Sequence, residues 1–153
     1  QGLATFQGVP HRMEQVARLG GVLYINNSMC TNAPALASSL SVCPKPCIVI
    51  AGGVDKNQSI PQLAQILAHH ADSVLLIGQD GPAIGQALEA LGFSAWRYVG
   101  TLDEAVHQAH QIAQPGMTVI LAPGCASFDQ FRNFQDRGEQ FRALVAQIGE
   151  GGR

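Results

Sequence analysis

Charge is scarce in this chain: Asp, Glu, Lys and Arg make up 13% of 153 residues, and the formal net charge is -2. No stretch concentrates Lys or Arg. A nucleic-acid surface or an anionic membrane is held by clustered cations, so neither partner is expected. Long apolar runs are missing as well. Nothing approaches the roughly 20 residues that span a bilayer, which excludes helical membrane insertion. Gln1 to Gln15 has no apolar core of the secretory kind, so a cytoplasmic location is expected. The cysteines are Cys30, Cys43, Cys47 and Cys125, and only Cys43 and Cys47 lie close, around Lys45. Zinc spacing of the Cys-x2-Cys kind does not occur, so free thiols are expected and no metal. An initiating Met is also absent before Gln1-Gly2-Leu3, which is the expected mark of a piece cut from a longer protein.

What the chain does have is apolar residues, 46% of the total, arranged in short blocks. Val22–Ile25, Cys47–Ala51, Val74–Ile77 and Thr118–Ala122 are continuous runs, the pattern of strands covered by helices on both faces. Ala95–Val99 alternates and predicts a strand near a sheet edge, and a further weak strand signal lies within Gly8–Ala17. Helix starts stand between the strands. Ser59-x-x-Gln62, Thr101-x-x-Glu104 and Ser127-x-x-Gln130 fit the capping box, and Asp80 precedes a helix with Pro82 in its first turn. Leu102, Ala105, Val106, Ala109, Ile112 and Ala113 form one apolar stripe. A last helix follows Gly138, with Phe141, Leu144, Val145 and Ile148 on its buried face, and Phe128, Phe131 and Phe134 read as core. Alternating strands and helices predict an α/β protein, a three-layer α/β/α sandwich with a mostly parallel, Rossmann-like sheet of about six strands. One domain is expected over residues 1–149, with a loose tail at 150–153.

In open parallel sheets, ligands bind beyond the carboxyl ends of the strands. Polar residues gather at three such ends: Asn26–Asn32, Gly52–Asn57 and Pro123–Ser127. Caps and tight turns explain each cluster singly. Together they predict helix N-termini at Thr31 and Ser127 facing a loop that carries Lys56. Hydroxyl, ammonium and oriented amides suit a carboxylate or phosphate ligand. Neither Gly-x4-Gly-Lys-Ser/Thr nor Gly-x-Gly-x-x-Gly occurs, so the expected domain binds small anions without a nucleotide engine of its own.

Ala126-Ser127-Phe128-Asp129-Gln130-Phe131-Arg132-Asn133-Phe134, followed by Gln135-Asp136-Arg137-Gly138, closely resembles a signature of the C-terminal domain of the Mur ligases. Gly8-Val9-Pro10-His11-Arg12-Met13-Glu14 resembles the Gly-Leu-Pro-His-Arg opening of that domain. The likeness runs from about Gly2 to Gly149 and is strongest for the D-glutamate-adding members. It implies an ATP-dependent, amide-forming reaction in cell-wall synthesis that adds D-glutamate to UDP-N-acetylmuramoyl-L-alanine. It also implies two further domains, with the phosphate loop, Mg2+ and the catalytic residues in the central one. This domain alone is then expected to be inactive and to bind no cofactor alone, while holding the amino acid and closing over ATP in the whole enzyme. By position, Thr31 and Lys56 match residues that grip one glutamate carboxylate, and Ser127 and the Phe134 region match those that take the other. Arg12 and Asn27 match the nucleotide ribose side.

The chain departs from the family at Asn27, where an Asp is usual, and at Met29, where a Lys is usual. Met29 removes an ammonium that a thioether does not replace. Those losses leave open a non-catalytic anion-binding or regulatory module, or a ligase for another amino acid. Other candidates carry structural readings. His107 and His110 fall on a solvated helix face, His69 and His70 suit a helix C-terminus, and His11 is a loop residue. Cys125 reads as a buried thiol, and Asp55 as either a cap or a ligand neighbour.

Overall fold

The computed structural model describes residues 9–54 and 59–151. Two strands, β1 (Glu14–Leu19) and β2 (Val22–Asn26), open the chain as an antiparallel hairpin; units of helix and strand then alternate. These are α1 (Ala33–Val42), β3 (Cys47–Gly52), α2 (Ile60–His70), β4 (Ser73–Ile77), α3 (Gly81–Ala90), β5 (Trp96–Gly100), α4 (Leu102–Ile112), β6 (Thr118–Gly124) and α5 (Phe134–Gly151). They build a 6-stranded sheet in the order β1-β2-β6-β3-β4-β5, parallel in every pairing except β1–β2.

The continuous apolar runs occupy the middle of this order. Every residue of β2, β3 and β6 is buried, because helices cover both faces. α1, α2 and α3 pack one core, around Leu36, Leu40, Leu63, Leu67, Ile84 and Leu88. α4 and α5 pack the other, around Leu102, Val106, Phe141 and Val145. The three-layer sandwich and the edge position of β5 are as the sequence predicts. β1 lies at the other edge and is only half-buried, which is why its apolar signal is weak.

Asn32, Ser59 and Thr101 cap α1, α2 and α4, accepting from the N–H groups of Ala35, Gln62 and Glu104. Asp80 occupies the N-cap position of α3 without a side-chain cap bond. Two helix ends differ from expectation. α5 begins at Phe134, so Gly138 lies inside it, and it continues to Gly151, into the segment expected to be loose. Among the described residues, no helix is long and apolar enough to cross a membrane.

Candidate functional site

β2, β6 and β3 are neighbours in the sheet, so the loops leaving their carboxyl ends emerge side by side. Backbone hydrogen bonds lace the loops together. Asn27 N–H donates to Leu121 O at 2.9 Å, and Gly124 N–H to Cys30 O at 3.0 Å. Val54 and Ala126 exchange both amide bonds, at 3.0 and 3.1 Å, as an isolated antiparallel bridge. Glycine makes that approach possible. Gly53, at φ 138°, has no room for a Cβ against Ala126 O, and Gly78, at φ 82°, leaves a Cβ 2.7 Å from Asp129 Oδ2. Thr31, half-buried, follows Cys30, and Ser127, buried, follows Ala126. Lys56 and Asp55 lie outside the described residues; the last described residue before them is Val54.

Ser127 does not open a helix. Its carbonyl accepts Gln130 N–H and Phe131 N–H, but the turn stops there. Arg132 N–H is taken by the Asp136 carboxylate at 3.1 Å, and Asn133 Oδ1 accepts Asp136 N–H at 2.7 Å. Side chains thus divert the amides that would propagate a helix from Ser127, and α5 begins only at Phe134. The expected helix N-terminus at Ser127 is therefore a turn, and the Ser127–Gln130 capping box does not form. Nor is Phe128 core: it is 63% exposed on this turn. Phe131 packs partly against the α4–α5 core, while Phe134 is half-buried with its ring edge-on to His11 at 6.2 Å between centroids.

Among the described residues, Arg137 is the largest fully buried side chain. From α5 its Nε donates to Ser28 Oγ at 2.9 Å, Nη2 to Ser28 O at 2.8 Å, and Nη1 to Cys125 O at 3.1 Å. Ser28 Oγ in turn donates to Phe134 O at 2.7 Å. One guanidinium therefore ties the loop after β2, the loop after β6 and the start of α5. Burial pulls its pKa down to about 10, still high enough to keep it charged at neutral pH.

On the β1 side, the loop Pro10–Met13 carries two non-glycine residues with left-handed backbone, His11 at φ 67° and Met13 at φ 47°. Met13 N–H donates to Asn27 Oδ1 at 2.9 Å, and Asn27 Nδ2 donates to Ser39 Oγ on α1 at 2.8 Å. Both ends of the buried Asn27 amide are thus engaged inside the protein. Arg12 is exposed, and with Met13, Asn27 and Met29 it lines a cleft of about 410 Å³ completed by Ser38, Ser39 and Val42 of α1. Thr31, Ser127 and Phe134 do not line that cleft.

Below the loop, Glu14 accepts from Arg142, Asn26 Nδ2 and the His11 N–H. Burial pushes the Glu14 carboxyl up, but those donors outweigh it and hold it below the ordinary 4.5. His11 Nδ1 lies 3.0 Å from Asn26 Nδ2, which assigns the acceptor role to Nδ1 and the proton to Nε2. Burial and then the Arg142 charge lower the His11 pKa below 6.5. Both shifts have the same sign consequence. A depressed folded value gives stability that is present above the unfolded value and lost as pH falls through the folded one. The urea midpoint will fall on acidification below pH 6.5 as His11 protonates, and again below pH 4.5 as Glu14 does. A His11→Gln variant will flatten the first step; a step that survives unchanged assigns it elsewhere.

His107 and His110 are both exposed, and the four cysteine side chains are buried. Among the described residues, no group of three His, Cys, Asp or Glu side chains is placed to hold a metal ion. Sequence reasoning quoted Arg137 only as part of a motif and Asn26 and Ser28 only within a polar cluster, and it missed Arg142. Their partners lie up to 128 residues away in sequence, beyond any local pattern.

The sheet order and the laced loops at its carboxyl rim define a mostly parallel α/β domain, and the chain belongs to the Mur ligase family, matching its glutamate ligase domain over residues 11–125. Among curated proteins it is 40% identical to the UDP-N-acetylmuramoylalanine–D-glutamate ligase of Caldicellulosiruptor bescii, over 97% of this chain and 32% of that protein. It is 43% identical to the enzyme of that name from Bordetella pertussis, over 95% of this chain and 28% of the relative. The chain thus spans about a third of the length of these relatives. Similar folds occur in Mycobacterium tuberculosis folylpolyglutamate synthase complexed with ADP (TM-score 0.67, 15% identity, 90% of this chain and 32% of that one). Another is Thermotoga maritima UDP-N-acetylmuramate-alanine ligase (TM-score 0.64, 14% identity, 94% and 31%). At those identities the likeness is one of fold.

Proposed function

We propose that this chain is the D-glutamate-holding domain, over about residues 1–149, of an ATP-dependent ligase. The ligase extends UDP-N-acetylmuramoyl-L-alanine in peptidoglycan synthesis. The family match over residues 11–125 carries the reading. In that reaction the carboxylate of the sugar-linked alanine is activated at the cost of ATP, and the amine of D-glutamate forms the new amide. Activation, and any Mg2+ it uses, belongs to a central domain that this domain meets on closure, which shields the activated carboxyl from water. The domain alone is inactive in this view.

Within it, Thr31 and Lys56 take one carboxylate of the amino acid, and Ser127 with the Phe134 region takes the other. Convergent hydroxyls, an ammonium and loop amides suit a dianion. Arg12 and Asn27 serve the ribose side of ATP. Their cleft offers a guanidinium, serine hydroxyls and the apolar Met29 and Val42, which fit a sugar and not a triphosphate. A cytoplasmic setting follows from the use of ATP and a nucleotide-linked precursor.

ATP turnover by the full-length protein tests this: it will require D-glutamate and the UDP-linked acceptor. Turnover with another amino acid transfers the reading to a different ligase. No turnover with any amino acid leaves a binding module. Lys56→Ala will raise the KM for D-glutamate by roughly ten- to a hundredfold, the worth of one charged hydrogen bond. An unchanged KM removes Lys56 from the site.

A further inference from the structure

We propose that the Glu14–Arg142 ion pair is the positioning device for Arg12, and so sets nucleotide affinity from outside the cleft. The inference rests on the nucleotide role of Arg12 given above. His11 and Met13, on either side of Arg12, both hold left-handed backbone, which non-glycine residues keep only when their surroundings enforce it. The enforcement is visible. His11 N–H donates to Glu14 Oε1 at 3.0 Å, and His11 O accepts Met29 N–H at 2.9 Å. Met13 N–H donates to Asn27 Oδ1 at 2.9 Å.

Of these ties, the one through Glu14 is anchored by an ion pair. Arg142 grips Glu14 through Nε, at 3.2 and 3.1 Å, and through Nη2, at 3.1 and 3.0 Å to the two oxygens. Asn26 Nδ2 donates to the same carboxylate at 3.0 Å. A two-pronged guanidinium–carboxylate pair fixes direction as well as distance. Glu14 cannot swing without releasing the His11 amide, and the turn that aims Arg12 then relaxes. Neither Glu14 nor Arg142 lines the cleft, so the pair acts through Arg12 and not on ligand.

The groups facing the pair come from three elements. His11 stands on the loop, Asn26 at the end of β2, and Glu139 on α5, its charge reaching His11. Arg142 also places this control on α5, one helix with Phe134 and Arg137.

The test uses the full-length protein with Glu14→Gln, Arg142→Met and the milder Arg142→Lys, each alone and combined with Arg12→Ala. Expected is a roughly tenfold rise in the KM for ATP, with the KM for D-glutamate within about twofold of wild type. Arg142→Lys will show a smaller rise, since an ammonium keeps the charge and loses the fork. Added to Arg12→Ala, the Glu14 change will raise the ATP KM no further, because the residue it aims is gone. Equal movement of both KM values, movement of kcat alone, additive effects with Arg12→Ala, or no change overturns the proposal. If a variant does not fold, Arg142→Lys decides by the same criteria. Wild-type turnover that ignores D-glutamate sinks the functional reading instead, and the ATP comparison still judges the pair.

Discussion

Arg137→Met will destabilise the protein by about 2–5 kcal/mol, the loss of three buried hydrogen bonds from a charged donor, offset in part by removal of the buried charge itself. The thioether fills much of the volume but donates no hydrogen bond. Ser28 O and Cys125 O then each lose the Arg137 donor deep in the protein, where a hydrogen bond from a charged group contributes about 1.5–3 kcal/mol. Arg137→Lys will recover only part of this, because an ammonium does not reproduce a planar fork reaching two loops at once. Urea denaturation of both variants checks the order. On the proposed assignment the functional signature is weakened amino-acid binding through Thr31 and Ser127 together, since the loop after β2 and the turn at Ser127 hang from the same side chain. An Arg137→Met protein as stable as wild type would show that the three bonds contribute little net energy.

The second large effect inverts a general rule. Glycine inside a helix ordinarily costs about 1 kcal/mol relative to alanine, so Gly138→Ala in α5 has an intrinsic gain. Here the new methyl would overlap the His11 ring and stand 3.1 Å from Asn26 Nδ2. His11 is buried and bound to Asn26, so it cannot simply turn away. Overpacking of this kind costs about 1–3 kcal/mol, enough to reverse the sign. The thermal midpoint will fall, and Gly138→Ala will also disturb the strained turn beneath Arg12. A rise in the midpoint would mean that the His11 loop yields, and that its left-handed residues are not rigidly enforced.

Both residues lie in the stretch where sequence reasoning was least successful. Apolar runs such as Cys47–Ala51 and Thr118–Ala122 announce central strands because both faces need cover, a requirement written locally in the chain. The loops holding Thr31 and Ser127 were legible for a related reason, since strand ends are where polar clusters stand out. The start of α5 was not legible. Ser127-x-x-Gln130 has the composition of a cap, but Asp136 and Asn133 claim the amides first, a competition decided by residues farther along. Gly138 reads as a helix boundary in sequence and is instead a point of contact with His11. Arg137 and Arg142 carry no local signal of their roles, because their partners Ser28, Cys125 and Glu14 are remote in the chain.

The amide bond from Gly124 to Cys30 O and the pair exchanged by Val54 and Ala126 carry a thermodynamic corollary. The rim around Ser127 has its shape settled when the chain collapses, not when a small molecule arrives. On the proposed function, association there should therefore spend little on ordering backbone, leaving most of the electrostatic attraction available to discriminate one dicarboxylate from its near relatives.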